Sequence, residues 1–532
     1  MMRTFENKVL KLAYIGTLTG LCLLWMLLSF SAAEEAPLPR GEGISLLEAV
    51  RMTLANDPNI RLQEKNVEIS KGSLQQQTGQ FDMKMQTSAG RSYEYTPLTE
   101  ADAVSLGRSQ LESDSTSVGV GMSKQFRSGI SITPSIEVTQ TDDPDDTAEA
   151  TNYSTLGFTI QFPLLNGRGK GAPGASEKAA RIAYEASELD LQHTVAERIL
   201  NTVYAYWNCL AAKEQLEVLR KSESRAGQLV RDTGILIESG EVPAADIKHL
   251  QANLAVKAAS RIAGEQTLFE AKHNLGLAMG LPFEKITSLP LPSDRFPEAN
   301  KPVLFEGTTN QLFINEALEQ RADLLASMKK QESSKILFEM ATHNLKPEFD
   351  LCLNFGYTGL EEGLTGEDFV NSLTENQSDL NVSVLVQSEW PLGNSSARGE
   401  LLQKQSQYEQ YVIQINDLIR NISSGVTVAV NDLRSKIQEL MKSGEAIRLY
   451  QTAVDNEKEK FKLGVSTLID VITTQDRLES SLLNKISKQL GYAQGLVCLR
   501  FETGTLISPE EGEYSVNTEQ LITIPSEKGG QQ

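Results

Sequence analysis

Residues 175–239 and residues 396–463 contain no proline, so each stretch can run as one uninterrupted helix. At 1.5 Å rise per residue each would be about 100 Å long. No single-layer globular domain buries a helix of that length. In the second stretch Ile415, Ile419, Ile422, Val426, Ala429, Leu433, Ile437 and Leu440 recur in steps of four and three. That spacing is a coiled-coil seam and demands helical neighbours. Beyond the glycines at 240 and 464, shorter helical patterns return over roughly 244–279 and 467–501. Each long helix is thus one arm of a hairpin.

The chain is written twice. Phe162-Pro163-Leu164 has its counterpart in Trp390-Pro391-Leu392, each triplet ending an alternating stretch and preceding a long helix. Gly240 with Asp246 corresponds to Gly464 with Asp470, and Gln251 and Leu254 then fall on Gln475 and Leu478. The glycine-rich segment 167–174 absorbs the small change in offset between these matches. The repeats span 44–281 and 311–504, with strands at about 81–163 and 349–390 and helical hairpins at 175–280 and 396–501. Residues 282–310 read as a linker and 505–532 as a polar tail without functional signal.

Strands show period-two alternation. Leu156, Phe158, Ile160 and Phe162 share one face of a strand, as do Leu380, Val382, Val384 and Val386 in the second half. Partner strands lie at 81–95 and 349–357. The first half holds one hairpin more, 117–126 and 130–140 around Arg127-Ser128-Gly129. Short turns on one side and long acidic loops on the other form the outer-membrane strand pattern. Four strands in one half and two in the other fall short of the roughly eight of the smallest single-chain membrane barrels. Open edges in lipid would leave backbone groups unpaired at several kcal/mol each. Several copies must therefore close a common wall, and a ring is the usual result of head-to-tail contacts.

Arg3, Lys8 and Lys11, an apolar run over 12–30 and then Ser31-Ala32-Ala33 read as a secretory signal over 1–33, with the cut expected after Ala33, although at 19 residues the run is also long enough for an anchor helix. Leu21 before Cys22 is not the small residue that lipid attachment needs. The net charge of −20, from 50 basic and 70 acidic residues, argues against nucleic acid as a partner. Cys209, Cys352 and Cys498 are far apart and odd in number, which disfavours a disulfide framework. With aromatics at only 6%, the composition suits long helices over one large core.

Signal, duplicated halves, strand-ending Pro-Leu and the glycine turn followed six residues later by Asp together resemble the TolC-like outer-membrane efflux protein (OEP) family, over roughly 44–504. The resemblance implies a mainly α fold with transmembrane β: a trimeric β-barrel in the outer membrane, continuous with an α-helical tunnel through the periplasm. It implies an exit duct for small molecules or proteins, serving a tripartite efflux pump or a type I secretion system. The partners it implies are a homotrimer, outer-membrane lipid, a periplasmic adaptor (membrane fusion) protein and an inner-membrane RND or ABC transporter. By the same resemblance Asp470 would ring the pore constriction, and Gly240, Val242, Leu463, Gly464 and Val465 would form the adaptor-docking tips. Two departures stand out. The additional hairpin either makes eighteen strands per trimer where the family has twelve, or stands outside the barrel. Thr473 also occupies the place of the family's second acidic residue, so a single acidic ring and weaker cation selectivity are expected.

Plainer readings compete at each site. Gly240 and Gly464 could simply end helices, where glycine adopts positive φ cheaply, and Asp470 could be a solvated residue near a helix N-terminus. Gly169-Lys170-Gly171-Ala172-Pro173-Gly174 has G-x-G-x-x-G spacing between a strand and a helix, but lacks the second parallel strand of a dinucleotide fold. His193, His249, His273 and His343 show no ligand spacing. No cofactor, metal site or catalytic set is expected, and the chain reads as a conduit and not an enzyme. The competing class, a structural coiled-coil envelope protein without a pore, accounts for the helices but not for the strands.

Overall fold

The computed structural model describes residues 43–142, 150–238, 247–299, 307–510, 513–516 and 521–525. The signal segment, Gly240 and Val242 lie outside them.

Two helical hairpins dominate. In the first, α4 (Gly174–Glu238) packs against α5 (Ile247–Ala278); in the second, α10 (Ser395–Lys462) packs against α11 (Leu468–Glu502). At 65 and 68 residues, α4 and α10 are each about 100 Å long. Their upper halves are flanked by shorter pairs: α1 (Leu46–Asn56) with α2 (Pro58–Gly79), and α7 (Gly307–Gln320) with α8 (Ala322–His343). Asp57 makes the break between α1 and α2. Its extended backbone ends one helix, and its carboxylate accepts from the Asn59 and Ile60 amides at the start of the next. The seam of α10 is buried as its spacing requires, with Ile422, Val426 and Leu433 at 1% exposure or less against Leu496 and Leu499 of α11.

The six-stranded sheet is antiparallel in simple chain order: β1 (Lys84–Pro97), β2 (Gln110–Gln125), β3 (Ser131–Asp142), β4 (Thr151–Pro163), β5 (Glu348–Glu362) and β6 (Asn381–Glu389). The β2–β3 hairpin sits in its middle, hydrogen-bonded to β1 on one side and β4 on the other. It is a full member of the sheet and not an appendage. Helices feed four of the strands: α2 enters β1, β4 leads to α4, α8 enters β5 and β6 leads to α10. At the far end, short helices α3 (Glu100–Leu106) and α9 (Gly366–Asn371) fill two of the loops.

A belt of packed chain surrounds the midpoint of α4. Tyr206 and Trp207 are buried there with Ile44, Leu289, Phe296, Leu506, Ile507 and Leu521. The Tyr206 hydroxyl lies 3.0 Å from the Ile44 carbonyl and 2.8 Å from Asp294. The stretch 282–310, expected as a linker, carries helix α6 (Phe283–Thr287) and contributes Ile286, Leu289 and Phe296 to this core. Described parts of the 505–532 tail do likewise, forming the small β7–β8 pair (Ser508–Glu510 and Glu513–Ser515) and lying against α11, where Arg500 donates to the Thr523 carbonyl. Both segments are structural.

Candidate functional site

The sheet has two chemically opposite faces. Register places Phe162, Leu351 and Val386 side by side, then Ile160, Leu353 and Val384, then Phe158, Phe355 and Val382. The same face continues through Ile136 and Val120 to Thr87. Many of these apolar side chains stand in solvent, most of all at the β6 edge, where Val384 is 65% exposed and Val382 56%. An apolar area of that extent in a folded chain marks a surface meant for lipid or a partner. Tyr93 and Tyr95 lie toward one end of this face and Trp390 follows it at the other, as in the aromatic girdles of membrane barrels. Strands of nine to sixteen residues suffice for a tilted membrane crossing. No described helix is long and apolar enough to cross a membrane.

The opposite face is small and polar. Ser88, Gly119, Ser135, Gly157, Asn354 and Ser383 lie on it, and Asn354 donates to the Ser383 hydroxyl at 3.1 Å. At Gly356 a Cβ would meet the Leu156 carbonyl oxygen at 2.2 Å, so only glycine permits that approach. Bulk on one face and small residues on the other let the sheet curl with its polar side concave.

At the junction of sheet and helices two of the 167–174 glycines are packed closely. A Cβ on Gly171 would meet that of His343 at 2.9 Å, and one on Gly174 would meet the Arg127 carbonyl at 3.0 Å. The second and third glycines of the G-x-G-x-x-G pattern thus serve close packing, while Gly169 takes φ 65° in open space. Arg127, in the β2–β3 turn, pairs through Nε with Glu177 in the first turn of α4, while its Nη2 donates to the same carboxylate at 2.8 Å. Glu177 is almost fully buried, and the guanidinium holds its carboxyl below the usual range. A cleft of about 780 Å³ opens beside this turn, lined by Ile130, Phe162, Arg168 and Leu351.

The second helical tip lies at the opposite pole. Gly464 takes φ 72°, its amide donates to Phe461 and the Val465 amide to Lys460, which is a Schellman ending of α10. Leu463 and Val465 stand 77% and 72% exposed beside it. Asp470 is the third helical residue of α11 and completes a capping box. Thr467 Oγ accepts from the Asp470 amide at 3.3 Å, and the Asp470 carboxylate takes the Thr467 hydroxyl at 2.6 Å and its amide at 3.1 Å. Those bonds hold the Asp470 carboxyl below its ordinary range, with Lys460 adding a smaller effect. The group is thus charged and solvent-exposed at the tip while also capping its helix.

Above the tip, Lys257 of α5 reaches across to α11, 2.8 Å from Asp476 and 2.7 Å from Glu479, and Ser222 of α4 also bonds Glu479. Burial pulls the Lys257 ammonium down, but the two carboxylates outweigh it and the net shift is upward. This cluster ties the two hairpins of one chain together close to the tip. Neither it nor the Arg127–Glu177 pair was among the expected site residues, since each joins positions far apart in sequence. Among the described residues no cluster of His, Cys, Asp and Glu could hold a metal ion.

Residues 313–505 match the family described as outer membrane efflux protein. The TolC outer membrane protein of Vibrio cholerae is 23% identical over 336 residues, 62% of this chain and 72% of that protein. By these matches the chain resembles the TolC-like outer-membrane efflux proteins. Escherichia coli TolC is 21% identical over 337 residues, again 62% of this chain but 65% of the relative, a little under two thirds of its length. The Campylobacter jejuni CmeC outer membrane channel superposes with a TM-score of 0.62 at 14% identity, covering 90% of both chains. This TolC-like chain accordingly belongs in the outer membrane, with its helices in the periplasm.

Proposed function

We propose that three copies of this chain form a passive duct: a shared β-barrel in the outer membrane opening into a helical tunnel. Such a duct would export small molecules or proteins in a tripartite efflux pump or a type I secretion system. The observation that carries this reading is the open six-stranded sheet, apolar on one face and polar on the other, joined without a break to two helices of about 100 Å. A pore-free coiled-coil spacer would have no use for that sheet. Energy would come from an inner-membrane RND or ABC transporter reached through a periplasmic adaptor, and the apolar Leu463-Gly464-Val465 tip is the surface suited to docking the adaptor, with Gly240 and Val242 as its counterpart in the first half. Asp470, one per chain, would ring the narrow end of the tunnel, while the Lys257 cluster holds the two hairpins together in the shut state. Opening would then exchange one helix packing for another.

Single-channel recording tests the ring. Asp470→Asn keeps an acceptor for the Thr467 cap but removes the charge, so cation selectivity and block by divalent cations should both fall. Unchanged selectivity and block would discard the ring.

A further inference from the structure

The β2–β3 hairpin differs from the other strands in having no helix of its own. It separates β1 from β4, so these strands stand three strand spacings apart, about 14 Å along the sheet. The helices attached to them, α2 and α4, nevertheless pack directly on each other, at the 8–10 Å or so of helix pairs. Between β1 and β4 the sheet is therefore wider than the pair of helices that feeds it. The mismatch falls at the junction, where the structure fills it with the hairpin's own turn. Arg127 binds Glu177 at the start of α4, its guanidinium lies 4.9 Å from the Phe81 ring at the end of α2, and Lys124 bonds the Phe81 carbonyl. A Cβ on Gly129 would strike the Gly167 carbonyl oxygen at 2.2 Å, so the turn is seated against the β4–α4 connection. The cleft beside the turn is what remains of the gap.

From this geometry we infer that the hairpin supplies two wall strands in every copy, and that β6 of one copy pairs with β1 of the next to close an eighteen-stranded barrel on a tunnel that keeps four helix-to-strand joints per chain. The inference rests on the three-copy duct proposed above. Strand direction permits the closure: β1 runs away from the helices and β6 runs back toward them, so the new pairing is antiparallel like all the others. The small residues on the concave face, such as Gly119 and Gly157, supply the curvature. Barrel diameter grows about linearly with strand number, so eighteen strands give a mouth about 1.5-fold wider than twelve. The duct would flare where it enters the membrane, with the β2–β3 turn as the wedge at the flare.

Cryo-electron microscopy of the detergent-solubilised protein counts the strands directly. Eighteen strands around a three-copy axis, with residues 110–142 in the wall, are expected. A twelve-stranded trimer with the hairpin lying outside or inside the wall overturns the inference and leaves the duct reading intact, whereas a single open-sheet copy sinks both. Exclusion of sized polyethylene glycols from the extracellular side gives a second readout. Polymers about 1.5-fold larger in diameter than a twelve-stranded trimer admits should enter the wild-type mouth, and a cutoff equal to that of the twelve-stranded barrel counts against the flare.

Discussion

The two halves of this chain differ more in their strands than in their helices. Each half carries a helical hairpin with one arm of about 100 Å, but the first half contributes four strands and the second only two. The reason lies in what each element touches. A helix of α4 or α10 is hemmed by several others, so an added helix would displace all of them. A hairpin inserted in an antiparallel sheet leaves every later strand running in its old direction, and its turn needs only a place to rest. Here that place is built from Phe81, Gly167 and Glu177. Sheets can thus be widened in units of two strands while the helical scaffold stays fixed.

The largest effect expected is on the faces of the sheet that both halves share. Val384→Arg puts a charge on the lipid side and should cost about 2–4 kcal/mol, seen as loss of heat-modifiable trimer on gels. Ser383→Arg, one residue away on the polar face, should assemble normally and alter only ion selectivity. Equal behaviour of the two variants would mean that the faces are misassigned. The junction comes next, and it belongs to the first half alone. Arg127→Ala leaves the almost buried Glu177 without its main partner and should lower the stability of the trimer. Thermal dissociation of the trimer should show it, with Arg127→Lys recovering part. Because the Glu177 carboxyl is depressed in the folded chain, this contribution is present above the ordinary carboxylate range and disappears as pH falls through the lowered value. Wild type and Arg127→Ala should therefore converge in stability in strong acid. The smallest effect belongs to the tip of the second half. Thr467→Ala removes a cap worth about 1 kcal/mol, and hydrogen exchange should quicken in the first turn of α11 while the barrel end is unchanged.

Much of this architecture is legible in the sequence, for identifiable reasons. The seam from Ile415 to Leu440 and the alternation from Leu156 to Phe162 are periodic, and period is set by the element itself. The belt is not legible in that way. Leu289, Phe296, Leu506 and Leu521 lie in short segments with no sustained period, and only the core they share with Trp207, remote in sequence, accounts for their burial. The same holds for Lys257 with Glu479. Asp470 is an intermediate case: T-x-x-D ahead of an apolar run is a capping-box signature, so its structural duty is written locally, whereas a role in a pore depends on copies of the chain that no local pattern describes. The hairpin around Arg127 could be read as two strands, but its place in the middle of the sheet follows from pairing with β1 and β4.

All of this depends on a sheet with two bare edges finding its partners in other copies. Native mass spectrometry of the purified mature protein, released from detergent micelles, measures that directly. Three chains per particle, surviving until heated, are predicted; a monodisperse single chain that stays soluble after detergent is removed would contradict the account at its root.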